Sequence, residues 1–434
     1  MYRLLIRSVP GLTVAALLQV SPASAEDLAS AWEAALGYDP ALQASRDQVS
    51  AAAENLAAAQ SGRLPKLTAT AGVTRFNAAP AFDFRGAGVP ATLPLFGGRS
   101  METAGADVVL PLYTGGQVAH GIAAAEAALA ARAASADART QQVKLDLARR
   151  YVDVLRTARA ADVANSTVAS LEAHVADVRH MLEAGAVARN DYLSATVSLA
   201  DAEQRRLQAR NALDLANAAY NRALGRELGA PVGLDSDLPG IDAGLDVSSL
   251  ESLTAAALRY RRELDRYAAA ADALRSESEA TRGKTRPQLA VTGGYALLEN
   301  DFLDRDDYWT VGVGVKWDLF DGGQARRKAN ALSFRAQALE RERAALQSYI
   351  ELEVRRAWLR LQETRERKRL TERAVERAEE NLRVARDRYR NGEGTNTEVL
   401  DAEMLRALSH GNFDNADFDA SLALYELARG VGRL

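Results

Sequence analysis

Leu112-Tyr113-Thr114-Gly115-Gly116-Gln117 returns 207 residues later as Leu319-Phe320-Asp321-Gly322-Gly323-Gln324. Each copy follows an alternating apolar segment and precedes a long run without proline, so each reads as a strand released by two glycines into a helix. The same stride sets Tyr151 on Trp358, Gly185 on Gly392, Leu193 on Leu400, Ala195 on Ala402 and Leu224-Gly225-Arg226 on Val431-Gly432-Arg433. Upstream the stride becomes 222, pairing Tyr38 with Tyr260, Leu42 with Leu264 and Pro65 with Pro287, so the first copy holds 15 extra residues between Pro65 and Gly115. Two copies of this length are too few for a solenoid. They read as one tandem duplication, residues 26–225 and 249–434, joined by a linker at 226–248 rich in glycine and aspartate.

Four segments change period from about 3.6 to 2: residues 66–76, 102–112, 288–298 and 309–319. Their length suits a tilted bilayer-spanning strand, which takes about 9–11 residues. In the last, Trp309, Val311, Val313, Val315, Trp317 and Leu319 share one face, while Thr310, Gly312, Gly314, Lys316 and Asp318 share the other. Tyr113, Tyr295, Tyr308 and Phe320 join the two tryptophans as candidate interfacial aromatics. A half-buried sheet in a soluble protein fits the alternation alone equally well. If the strands do cross a membrane, four per chain cannot close a barrel, for which about 8 is the single-chain minimum, and the chain must oligomerise.

The helical signal is unusually long. Residues 117–183 and 324–391 lack proline and are dominated by alanine, leucine, glutamate and arginine, giving helices of roughly 100 Å at about 1.5 Å per residue. Short turns at 184–190 and 391–396 return the chain through second helices that end at Leu224 and Gly430. Opening helices are expected at 28–62 and 249–283, and opening plus return together match the long helix, which suggests two helical tracks per copy. Residues 77–100 and 299–308 are the strand-to-strand loops, the first carrying the 15 surplus residues.

Arg3 and Arg7, the apolar run from Val9 to Val20 and Ala23-Ser24-Ala25 predict a secretory signal over residues 1–25. Its removal takes two arginines and no acids, moving the formal charge from −4 to about −6, which disfavours nucleic acid as a partner. The absence of cysteine excludes disulfides, thiolate metal sites and an acylated N-terminal cysteine. His120, His174, His180 and His410 lack the spacing of a zinc pair, no nucleophile elbow or phosphate loop is present, and no cofactor or metal is expected. His174 and Asp177 could share a helix face, but an exposed pair on a helix surface is the simpler expectation.

With repeat, strands and turns in place, the chain resembles the TolC-like outer-membrane efflux protein family over essentially residues 31–434. The most specific match is Tyr389-x-x-Gly392-x-x-Thr395-x-x-Glu398-Val399-Leu400-Asp401-Ala402, with Leu182-x-x-Gly185 through Asp191-Tyr192-Leu193-x-Ala195 as a weaker first-copy version. The resemblance implies an α+β membrane protein: a homotrimer with a 12-stranded outer-membrane β-barrel, four strands per chain, continued by a long α-helical barrel in the periplasm. It implies docking to a periplasmic adaptor (membrane fusion protein) and an inner-membrane transporter for efflux or type I secretion, and contact with outer-membrane lipid.

By motif position Asp191, Glu398 and Asp401 match the acids that narrow the periplasmic end in the family. The alternative is that they are first-turn acids favoured by a helix dipole. Ser194 replaces an acid at the first-copy position equivalent to Asp401. Gly394 stands where the family often carries a basic or polar residue, and Arg189 is a substitute for it. Gly185 and Gly392 permit tight reversals, and Gly185, Arg189, Tyr389, Gly392 and Gly394 mark the candidate adaptor-docking turns. A non-conducting periplasmic coiled coil is the rival reading, though it gives the four strands no purpose.

Overall fold

The computed structural model describes residues 25–83, 86, 88, 92–94, 99–238, 246–298 and 304–434. The expected signal segment, apart from Ala25, lies outside them, as do 239–245 of the linker and parts of both strand-to-strand loops. The first copy runs α1 (Leu28–Tyr38), α2 (Pro40–Ser61), β1 (Lys66–Arg75), β2 (Ala81–Asp83), β3 (Thr92–Pro94), β4 (Ser100–Tyr113), α3 (Gln117–Glu183) and α4 (Arg189–Ala223). The second runs α5 (Leu250–Tyr260), α6 (Arg262–Gly283), β5 (Gln288–Leu298), β6 (Asp307–Lys316), α7 (Gln324–Arg390) and α8 (Asn396–Val431). No helix among the described residues is long and apolar enough to cross a membrane.

Three expectations are corrected. The opening helix of each copy is two helices. Pro40 lacks an N–H and pushes its predecessor out of the helical region, so Asp39 sits at ψ 113° and caps α2, its carboxylate accepting from the Leu42 N–H at 2.7 Å. The second copy breaks at Arg261, which stands 222 residues after Asp39. No proline is there, and Arg261 is held extended at ψ 107° by Glu263 at 3.0 Å, Glu353 at 2.9 Å and the Gly430 carbonyl at 3.1 Å. Second, β6 ends at Lys316, short of the expected 319, because Trp317 turns aside to donate its indole N–H to the Thr285 carbonyl at 3.0 Å. Third, the first strand-to-strand loop is not wholly irregular: β2 and β3 pair antiparallel within it.

The four long strands form one antiparallel sheet in the order β1-β4-β5-β6. The central pairing joins the two copies, with Asp107 opposite Gly294 and Ala106 opposite Tyr295. β1 and β6 are left as edges. An apolar row on β6, Trp309, Val311, Val313 and Val315, stands exposed, and β1 is exposed along its whole length. A half-buried soluble sheet would instead alternate buried and exposed positions. At the strand exits Gly115 and Gly116 have φ of +64° and +89°, repeated by Gly322 and Gly323 at +69° and +80°, a conformation that costs other residues about 1–2 kcal/mol. Asp321 then caps α7 through the N–H groups of Gly323 and Ala325.

The described residues divide into two compact units. One comprises the described parts of Met1–Tyr38, Asp146–Gly240 and Arg365–Leu422. In it the Tyr151 hydroxyl lies 2.7 and 2.8 Å from the carbonyls of Glu26 and Asp235, while the Glu26 carboxylate meets Arg226 through both oxygens at 2.6 and 2.8 Å. The other unit comprises Asp39–Leu145, Ile241–Thr364 and Ala423–Leu434, and contains the sheet. Its helical core packs Leu253, Ala257 and Leu264 against Ile350, Val354, Leu361, Leu427 and Val431. Trp358, the repeat partner of Tyr151, donates to the Val247 carbonyl at 2.9 Å, so both aromatics pin a segment that enters their own unit.

Candidate functional site

Both helix turns fall in the unit built on Asp146–Gly240 and Arg365–Leu422. They share one backbone solution. Gly185 has φ +74° and Gly392 φ +75°; the next N–H bonds back five residues, Ala186 to Met181 and Glu393 to Arg388, each at 2.8 Å. This is the glycine-terminated end that satisfies the last carbonyls of a helix. Thr395 begins the return by accepting from the Glu398 N–H at 3.3 Å.

Beneath the turns Val178, Ala195, Leu382, Ala385, Tyr389, Val399 and Ala402 pack together, joined at their edge by Met181, Val187 and Tyr192. Tyr389 is therefore corrected from a docking residue to a core residue: it is 4% exposed and its hydroxyl has no hydrogen-bond partner among the described residues. Burial, with Asp191 nearby, pushes its hydroxyl above the usual phenol range. His174, expected on a helix surface, is likewise buried, its ring 5.5 Å from that of Tyr389. Its Nε2 lies 2.8 Å from Asn396 Oδ1, while Asp177 is engaged elsewhere, by Arg390 at 2.7 and 3.1 Å. One layer further in, the buried Glu403 carboxylate accepts from Ser170 at 2.6 Å and Arg406 at 2.7 and 3.0 Å, with Arg386 at 3.2 Å.

The three expected acids stand differently. Glu398 is exposed in the first turn of α8 and pairs with Arg388 at 3.3 Å, while Arg388 also donates to the Glu393 carbonyl at 2.9 Å. Asp191 is half-buried in the first turn of α4, its main-chain carbonyl accepting from Asn396 Nδ2 at 3.1 Å. Asp401 is exposed and lines a groove of about 620 Å³ with Val197, Asp201, Arg205 and Met404. A Cβ at Gly394 would stand 3.2 Å from both Arg388 Cβ and Glu398 Oε2, so glycine leaves that ion pair room to close. Arg189 is exposed at the first residue of α4.

Arg388, Arg390, His174 and Asn396 were not among the expected residues. Arg390 stands at a spacer position of the matched motif and Arg388 just before its first residue, Tyr389, so their charge was the available signal. At the sheet, the register sets Tyr295 opposite Trp309, next to Tyr308, near the strand-to-strand loops. Tyr113, Trp317 and Phe320 stand at the helix-side ends of the strands, and all six aromatics are exposed.

The profile of a family described as "Outer membrane efflux protein" matches residues 31–226 and 253–429, one block in each copy of the repeat. The chain belongs to that family. Outer membrane efflux protein BepC of Brucella suis biovar 1 (strain 1330) is 23% identical over 419 residues, covering 95% of this chain and 86% of the relative. Outer membrane protein TolC of Vibrio cholerae serotype O1 (strain ATCC 39315 / El Tor Inaba N16961) is 24% identical, covering 94% and 91%. The solved structure of CusC superposes with a TM-score of 0.80 at 16% identity, covering 98% of each chain. The protein is thus an outer-membrane efflux channel of the TolC family, extending into the periplasm, in a family of channels and not of enzymes.

Proposed function

We propose that this chain is the outer-membrane duct of a tripartite efflux or type I secretion system, a homotrimer gated at the turns of 184–188 and 391–395. The observation that carries the trimer reading is the four-stranded sheet with two open edges and an exposed apolar row. Unpaired strand edges are not tolerated in hydrocarbon, and three such sheets pairing β6 of one chain with β1 of the next give twelve strands with no edge left. Tyr295, Tyr308 and Trp309 at one level and Tyr113, Trp317 and Phe320 at the other then serve as the two interfacial girdles.

At the turns, trimerisation brings three copies of Glu398, Asp401 and Asp191 around one axis. Carboxylates so placed focus a negative field that favours cations. Arg388 and Arg390, each paired inside its own chain, supply the countercharge that lets acidic turns approach. The exposed turn residues Gly185, Arg189 and Gly392, with the half-buried Gly394, form the docking surface for a periplasmic adaptor, which links the duct to an inner-membrane transporter. Single-channel recording of the purified protein in planar bilayers tests the conducting role: cation-selective conductance is expected. A protein that stays soluble without detergent and conducts nothing would sink it in favour of a structural coiled coil. Co-purification of an adaptor with the wild-type chain, and its loss on Arg189→Glu, tests the docking surface.

A further inference from the structure

We propose that the β6 edge takes up β1 of a second copy of this chain in one fixed register, with Val313 opposite Val73 of the next copy, and that Ser61 of the next copy seats beside Gly322. This rests on the reading of the sheet as part of an oligomeric barrel.

The duplication carries strand register from one repeat to the other. In the first repeat β1 and β4 pair from Lys66 opposite Val109 to Arg75 opposite Ser100. Moving β1 by the stride of 222 and β4 by the stride of 207 turns these into Gln288 opposite Lys316 and Leu297 opposite Asp307, the end pairs of the hairpin of β5 and β6. No slip separates the two hairpins, although the loops that close them differ by 15 residues. The remaining pairing, β4 with β5, joins the two repeats, and its image under the same strides is β6 with β1. Those two strands lie at opposite edges of the sheet. Ala106 opposite Tyr295 becomes Val313 opposite Val73, Asp107 opposite Gly294 becomes Gly314 opposite Gly72, and Val108 opposite Gly293 becomes Val315 opposite Ala71.

Side-chain direction agrees with this register independently. Directly opposed residues point to one face, so a slip by one residue would set the apolar row of each strand against the polar row of the other. In the transferred register Val313 and Val315 meet Val73 and Ala71, while Gly312, Gly314 and Lys316 meet Thr74, Gly72 and Thr70. Both rows stay in line across a junction that neither hairpin constrains.

On the helix side of the sheet a second contact repeats the pattern. A Cβ at Gly115 would stand 2.5 Å from the Gly283 carbonyl oxygen, so the exit of β4 lies against the end of α6, where Arg286 also donates to the Gly115 carbonyl at 3.3 Å. The counterparts are Gly322 at the exit of β6, and Ser61 and Leu64 at the end of α2. Among the described residues nothing lies within 4 Å of a Cβ placed at Gly322, and Ser61 and Leu64 are exposed. All of these residues belong to the unit that contains the sheet. Four strands are too few to close on themselves, about 8 being the single-chain minimum, so a second copy brings the two halves together. Ser61 carries a Cβ where Gly283 has none, which makes the contact between copies wider than the internal one.

The chain has no cysteine, so cysteine pairs introduced into the full-length protein report neighbours by disulfide formation in outer-membrane fractions. Opposed strand residues have Cβ atoms about 4.5–5.5 Å apart and diagonal ones about 7–8 Å, against about 3.5–4.5 Å in a disulfide. Ala106→Cys with Tyr295→Cys, the internal counterpart, is expected to close within one chain. Val73→Cys with Val313→Cys is expected to link chains into dimers and trimers, severalfold more than Ala71→Cys or Arg75→Cys with Val313→Cys. A slipped pair that links best overturns the register and leaves closure through these edges standing. If the internal pair closes and none of the three pairs links chains, closure of β6 on β1 fails, and the barrel reading fails with it. Ser61→Trp, which fills the place beside Gly322, is expected to lower the trimer yield severalfold without unfolding the chain; an undiminished yield overturns the seat.

Discussion

Glu398 is a partner for Arg388 and, on the proposed gate, also an acid offered to the pore. Replacing it with alanine removes one negative charge and uncovers one positive charge, whereas Asp401→Ala only removes a charge. Reversal potentials across a salt gradient should therefore show reduced cation preference in both variants, with the larger loss in Glu398→Ala. Unchanged selectivity in the double variant would remove both residues from the constriction. Tyr389 makes a contrasting case: its ring is core, but its hydroxyl has no partner among the described residues. Tyr389→Phe should leave stability within about 1 kcal/mol of wild type, while Tyr389→Ala should cost about 3–5 kcal/mol by thermal or denaturant unfolding. Glu398 and Asp401 could be placed near the second turn from the sequence because they lie within a dozen residues of Gly392 in one motif. His174 and Asn396 could not, since they meet across 222 residues and each looks like an ordinary helix residue in its own neighbourhood.

Among the elements, the break between α1 and α2 and its counterpart between α5 and α6 are built from different chemistry at the same repeat position. Asp39 with Pro40 is a local signal, readable by anyone who weighs the proline, and Asp39→Ala should cost about 1 kcal/mol through the lost cap. Arg261 has no local signature. Its extended backbone depends on Glu263, Glu353 and Gly430, two of them about a hundred residues or more away, and Arg429 completes the cluster through Glu263 and Glu353 at 3.1 and 3.0 Å. Only the 222-residue stride could have carried the first break over to it. Arg261→Met should destabilise by about 3–5 kcal/mol, because two carboxylates lose a buried partner. Burial alone would raise the Glu263 carboxyl, but Arg261, its own backbone N–H and Arg429 hold it below the usual range. Its stabilisation is thus present above about pH 4.3, the unfolded value, and is lost as pH falls through the lower folded value. Unfolding curves of Arg261→Met against pH should lack that component.

For the molecule as a whole, the duplication was the most legible feature, because a stride survives even where individual residues diverge. The strands were legible from alternation and length, and the sheet order was not, since alternation does not say that β4 pairs with β5. The exposed row on β6 makes a measurable claim. Val313→Arg should lower membrane stability by about 2–4 kcal/mol if it faces the bilayer midplane, seen as loss of the folded oligomer from membrane fractions. A retained oligomer with ordinary stability would place that face away from lipid.

The two open edges of the sheet bear on inheritance. On the proposed trimer, a chain that completes its barrel by lending β1 and β6 to other copies cannot be judged alone in a cell that makes two versions of it. Where an allele with intact strands but a sealed gate is expressed equally with wild type, random mixing into threes leaves only about one assembly in eight wholly wild type. Gate mutations should then behave as dominant, and mutations that ruin the strands as recessive. Co-expression followed by a drug-susceptibility assay would rank the two classes by phenotype.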